Sequence, residues 1–149
     1  MTLDHLQLET PRLLLRLPRA EDLDPFAEMM ADQEAARFIG GVMPRSVSWR
    51  GLMTMIGAWH ANGFAMFSVV EKSSGRWIGR LGPWMPEGWP GTEVGWAIVR
   101  DCWGKGYAQV VARKLGSRNL GPGSLPAPYQ ESRIDIWGQS RDEWRARRQ

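Results

Sequence analysis

Gly104, Lys105 and Gly106 stand where a strand-like pattern gives way to a helix-like one. Residues 93–99 are rich in β-branched and aromatic side chains and follow Gly91, which suits a strand. Tyr107 and Ala108 can begin a helix. A glycine turn between a strand and a helix aims several backbone N–H groups at one point. The helix N-terminus adds partial positive charge, so the place favours a phosphate. Lys105 offers a mobile cation, either to that phosphate or to solvent. Glycines at this spacing also serve plain tight turns that need positive φ. Walker A is excluded, because Gly106 stands where that motif has Ser or Thr after its lysine. The dinucleotide fingerprint is excluded too, because Gln109 stands where its third glycine belongs. Cys102 precedes the turn. A cysteine nucleophile needs a base in reach, and His5 and His60 are distant in sequence, so Cys102 reads as a small buried filler. Two histidines and one cysteine at these spacings make no metal set.

The whole string 93–108, EVGWAIVRDCWGKGYA, closely resembles the acetyl-CoA signature of the GNAT acetyltransferases. Within that superfamily it is similar to the branch that includes the ribosomal-protein N-terminal acetyltransferases. The phrase LETPRLLLR near the N-terminus resembles the opening of the same branch. The resemblance implies an α/β fold, a mixed and mostly antiparallel sheet flanked by helices. It implies acetyl transfer from acetyl-CoA, as co-substrate and without a metal, to a primary amine on a protein N-terminus or a small molecule. The strand's backbone would pair with the pantetheine arm. The amides of Trp103, Gly104, Lys105, Gly106, Tyr107 and Ala108 would hold the pyrophosphate. A neutral amine must attack the thioester, so the site needs a proton acceptor and an N–H donor for the thioester oxygen. Ile98 or Val99 would supply that N–H. Glu93, which opens the strand, is the candidate base, directly or through water. Its other readings are a solvated strand-end acid or a charge that binds the substrate amine. The family has Gln or Arg three residues before the first glycine, and this chain has Asp101. Backbone contacts survive that change better than side-chain contacts. The family's late tyrosine or serine acid has no clear counterpart; Tyr129, in a proline-rich loop, is the remaining candidate.

At 149 residues the chain suits one domain, 1–149, able to bury ~70% of its unfolded surface. No apolar run of about 18 residues is present, so no membrane span is expected. The N-terminus lacks a basic n-region and an apolar h-region. A lone cysteine suits a reducing compartment, and a cytoplasmic location is expected. The net charge of +3 helps an anionic ligand slightly and does not by itself argue for nucleic acid.

These residues need a scaffold. Residues 6–17 read as one strand with Leu13, Leu15 and Leu17 on one face. Residues 21–32 read as a helix with Leu23, Phe26, Ala27 and Met30 in an apolar stripe and Asp22 or Asp24 as cap. A loop follows over 37–45, then a helix over 46–61 capped by Ser46 or Ser48. That helix would bury Trp49, Leu52, Met53, Ile56 and Trp59 and end at Asn62-Gly63. Residues 64–71 and 76–81 read as a hairpin around Lys72–Gly75. Residues 83–91 read as a rigid loop carrying Trp84 and Trp89, which either line the acceptor channel or pin the loop. In the resembling family the two helices and their loop wall the acceptor site.

After Ala108 the resemblance breaks. The family continues its helix, adds a fifth strand and starts another helix; here Ala108 runs straight into QVVARKLGSR, which resembles the later helix. An internal deletion near the Ala108–Gln109 junction is therefore expected, with strand five lacking. Residues 107–115 can still form one helix, followed by strands at 117–121 and 132–139 around a loop at 122–130. Loss of that strand would leave an open sheet edge and could make the domain depend on a partner chain, a homodimer being one such form. Two other functions stay open: a non-catalytic CoA-binding protein, and ribosome or nucleic-acid binding through the tail 141–148. That tail carries four arginines against two acids and reads first as a solvated end.

Overall fold

The computed structural model describes residues 5–114, 118–123, 134–138, 140, 142 and 146. The expected first strand is folded in two. β1 (Gln7–Glu9) pairs antiparallel with β2 (Leu13–Arg16). Thr10 Oγ1 accepts the N–H of Leu13 at 2.9 Å, and Thr10 N–H donates to the Leu13 carbonyl at 2.9 Å. With Pro11 pre-setting φ, Thr10 closes a turn inside what periodicity alone reads as one strand. Leu13 and Leu15 are buried as expected.

A short 3-10 turn (Ala20–Asp22) leads into α1 (Leu23–Ala31), and Asp32 caps α2 (Gln33–Ala36) through the Glu34 and Ala35 amides. Asp22 stands at the start of α1, but its carboxylate does not cap that helix. It accepts two bonds from Arg16 at 2.7 and 2.9 Å, one from Ser68 Oγ at 2.6 Å and one from Arg19 N–H at 2.9 Å. Trp77 Nε1 donates to Ser68 Oγ at 3.1 Å, so the network reaches three strands.

α3 (Arg45–Asn62) begins after Pro44, with no side-chain cap from Ser46 or Ser48, and stops at Gly63, whose φ of 74° suits a left-handed terminus. Its buried stripe is Ser48, Leu52, Met55 and Trp59. Met53 and Ile56 are half-buried, and Trp49, expected inside, is 49% exposed. The true stripe is rotated by about one residue, because the helix packs through Leu52 and Met55 against Phe26 and Met30 of α1.

β3 (Phe67–Glu71) and β4 (Trp77–Trp84) form the expected hairpin, with β5 (Glu93–Ile98) antiparallel to β4. Pro83 belongs to β4 and not to the loop. It lies opposite Val94, beyond the point where β3 stops pairing at Phe67–Leu81, so its missing N–H leaves no partner orphaned. The five strands make one antiparallel sheet in the order β1-β2-β3-β4-β5. α1 and α3 pack one apolar cluster around Phe26, Leu52 and Trp77; Leu13, Leu15, Val69 and Ile98 pack with Tyr107 and Val111 of α4 (Tyr107–Lys114) in the other.

α4 runs unbroken across the Ala108–Gln109 junction. β6 (Arg118–Gly123) then pairs with β7 (Ile134–Gly138) in a separate two-stranded sheet, and β7 approaches β5 without being hydrogen-bonded to it. Among the described residues, no strand extends the main sheet beyond β5.

Burial pushes the Asp22 carboxyl up, but the bonds from Arg16, Ser68 and Arg19 outweigh it and the net shift is below the ordinary 3.8. The stability Asp22 contributes is therefore complete above pH 3.8 and lost as pH falls through the lower folded value. Asp22→Asn, which leaves Arg16 half-paired, should cost about 3 kcal/mol at neutral pH. Urea unfolding should show that cost shrinking as pH is lowered through this window.

Candidate active site

The site is built at the outer edge of β5. Val99 N–H donates to the Ile78 carbonyl at 2.9 Å, beside the Gly79–Ile98 and Arg80–Ala97 pairs. In an antiparallel ladder the bonded pairs alternate. Val99 and Ala97 therefore spend their amides on β4, while Ile98 and Trp96 turn theirs to the open side. Of the two amides named for the thioester oxygen, Val99 is thereby removed and Ile98 remains. Gly79 allows the strands to lie this close: a Cβ there would collide with the Ala97 carbonyl.

Beyond β5 a 3-10 turn (Arg100–Cys102) leads to the glycines. Gly104 and Gly106 hold φ of 75° and 73°, and a Cβ on either would meet nothing within 4 Å. The backbone conformation, not crowding, requires glycine here. Among the described residues, the amides of Gly104, Lys105 and Gly106 have no acceptor. Those of Tyr107 and Ala108 open α4, where first-turn amides have no intrahelical partner. Trp103 is a correction: its N–H already donates to the Arg100 carbonyl at 3.1 Å. Its indole Nε1 instead donates to the Ile98 carbonyl at 2.7 Å, on the same open edge as the Ile98 amide.

A cavity of about 490 Å³ joins these groups. Trp96, Ile98, Gly104 and Gly106 line one side, and Phe38 and Ile39, after α2, line the other. Among its described lining residues there is no Asp, Glu, His, Lys or Arg. Lys105 does not line it. Its ammonium lies 3.4 Å from Glu71 Oε1 and over the Tyr107 ring, with the centroid 5.7 Å away. The cation offered to a phosphate or to solvent is thus held against Glu71. Val99 faces a smaller, polar hollow with Arg100 and Asp101.

Glu93 sits at the far end of β5, outside the cavity lining. Its Oε2 accepts the indole N–H of Trp89 at 3.0 Å, and Oε1 lies 3.1 Å from where a Gly95 Cβ would be. Alternation puts Glu93, Gly95 and Ala97 on one face. The absent side chain at Gly95 leaves the carboxylate room along that face.

Asp101, the departure from the family pattern, makes two bonds to Arg76 at 2.6 and 3.1 Å. Burial pushes the Cys102 thiol up, against the pull of Lys105, so it is no activated nucleophile. Tyr129 and most of the arginine tail lie outside the described residues. No group of three His, Cys, Asp or Glu among the described residues could hold a metal, and none of their helices is long and apolar enough to cross a membrane. Three neighbours escaped the sequence reading. Glu71 had no pattern to mark it, Arg12 lay inside the recognised phrase LETPRLLLR, and Trp89's bond to Glu93 was hidden in a tryptophan-rich loop.

The sequence profile of the acetyltransferase (GNAT) domain matches residues 12–119, from β2 into β6. This chain belongs to the GNAT acetyltransferase family. Over 111 residues it is 32% identical to an uncharacterised N-acetyltransferase, p20, of Bacillus licheniformis, covering 72% of this chain and 62% of that protein. The chain thus spans less than two thirds of that curated relative. The GNAT fold also aligns with an acetyltransferase of Agrobacterium tumefaciens at a TM-score of 0.72 and 19% identity, covering 93% of this chain and 98% of that one. A ribosomal-protein-S5-alanine acetyltransferase of Vibrio fischeri aligns at 0.62 and 15%, covering 93% and 98%. At these identities the two structures speak to fold alone.

Native Cys102 should react with iodoacetamide at least about tenfold more slowly than in urea-unfolded protein, because burial withholds both access and thiolate. Mass spectrometry of the alkylated fraction over time measures it.

Proposed function

We propose that this chain moves an acetyl group from acetyl-CoA to a primary amine. The observation that carries the reading is the pair of left-handed glycines that line a cavity along the edge of β5, their amides and that edge unpaired among the described residues. A Cβ on either glycine would project into open space, so the cradle can take a pyrophosphate. The amides of Gly104, Lys105, Gly106, Tyr107 and Ala108 would hold that anion. The edge of β5 would pair the pantetheine arm, with the Ile98 N–H as donor to the thioester oxygen. When bound, acetyl-CoA would supply the acetyl group as a thioester, whose C–S bond breaks as the new C–N bond forms, with CoA departing as its thiolate and taking a proton from water. Glu93 would take the amine's proton, directly or through water, with its carboxylate held by Trp89. The uncharged residues among the described walls favour the neutral form of the amine that must attack. Much of the rate would then come from juxtaposing two substrates.

The acceptor is an amine on a protein N-terminus or a small molecule. The exposed Phe38 at the cavity's outer wall would meet either.

Calorimetric titration with CoA should show saturable binding by the wild type and none by Gly106→Glu, which puts an anion and a strained φ at the cradle. A folded wild type that does not bind would overturn the proposal. In a purified binder, Glu93→Gln should lower kcat by about 10²-fold or more with little change in CoA affinity; unchanged kcat would remove Glu93 from the mechanism.

A further inference from the structure

Glu71 ends β3 and has no part in the chemistry above. Its Oε1 accepts the Tyr107 hydroxyl at 2.7 Å and faces the Lys105 ammonium at 3.4 Å. Its Oε2 accepts Ser74 Oγ at 2.7 Å, and its own N–H donates to the Arg76 carbonyl at 2.9 Å. The carboxylate is thus anchored in the β3–β4 hairpin and grips the two residues on either side of Gly106. Arg12 grips the same two from just before β2: it donates to the Lys105 carbonyl at 2.9 Å and lies 4.5 Å over the Tyr107 ring. The Tyr107 hydroxyl first, then Ser74, holds the Glu71 carboxyl down at about 2, so it stays charged through the neutral range.

A turn built on two left-handed glycines has little stiffness of its own. We infer that Glu71 is a positioning residue for the cofactor, fixing through Tyr107 and Lys105 the amides that receive the pyrophosphate. The inference rests on the function proposed above. It has an unusual sign. Simple charge repulsion says that removing an anion beside a phosphate site strengthens binding, whereas a clamp says that removal weakens it.

The test is calorimetric titration with CoA of the wild type, Glu71→Ala, Glu71→Gln, Tyr107→Phe and the Glu71→Ala/Tyr107→Phe double variant, each checked by thermal melting. Glu71→Ala and Tyr107→Phe should each weaken CoA about tenfold, as loss of a hydrogen bond to a charged group does. The double variant should be weaker than Glu71→Ala by no more than about twofold, since both remove one interaction. Glu71→Gln, which keeps an acceptor for the tyrosine, should lose less than Glu71→Ala. Turnover separates the clamp from general loosening. The KM for acetyl-CoA should rise in Glu71→Ala, while kcat/KM for S-acetylpantetheine, which lacks the pyrophosphate, should stay within about threefold of wild type. Equal or tighter CoA binding by Glu71→Ala, additive losses in the double variant, or equal losses for both donors would each overturn the inference. If the wild type itself does not bind CoA, the proposed function falls and this inference with it. If the wild type binds, Gly106→Glu does not, and Glu71→Ala matches the wild type, this inference alone falls.

Discussion

The close approach of β4 to β5 at Gly79 governs the site. No Cβ fits between Gly79 and the Ala97 carbonyl, so the two backbones lie against each other at the point where the chain is about to leave the sheet. That contact sets the ladder, and the ladder sets which amides are spent. Val99 and Ala97 face β4; Ile98 and Trp96 face outward. A shift of one residue would exchange those roles and turn every side chain of β5 to the other face. Ile98 would then leave the cluster it shares with Leu13, Leu15 and Tyr107.

The glycine turn inherits its place from this edge and its shape from contacts to β5 and to residues just before β2 and β4. Trp103 reaches back to the Ile98 carbonyl, Arg12 holds the Lys105 carbonyl, and Asp101 is tied to Arg76. The charges at the turn are therefore mostly committed behind it, and the cavity in front carries none among its described lining residues. Selectivity for an anion there would come from fixed amide dipoles, which need no side chain to reorganise.

Much of this is readable in the sequence. The signature around Gly104 and Gly106 is legible because its work is done by backbone, and only certain residues permit that backbone. The Phe26 and Met30 stripe, the Lys72–Gly75 turn and the stop at Gly63 were legible for the same local reason. Failures came where a distant partner decides. Trp49 fits a helical stripe yet lies outside it, because α1 chooses which side of α3 is covered. Trp103 and Val99 belong to the recognised string, but whether an amide is free depends on the carbonyl opposite. Lys105 was read as facing either the phosphate or solvent; Glu71, far away in sequence, is the partner that neither reading foresaw. At Thr10-Pro11 the alternation continued through a turn that only the threonine hydroxyl reveals.

The central claim is that free backbone amides on β5 and its turn form the donor site. Residue-resolved amide hydrogen exchange, with and without saturating CoA, tests it most directly. The account predicts added protection at Trp96, Ile98, Gly104, Lys105 and Gly106, and none at Val99 and Trp103, whose amides are already bonded. Protection that leaves Gly104–Gly106 unchanged, or that appears at Val99 and not at Ile98, would contradict it.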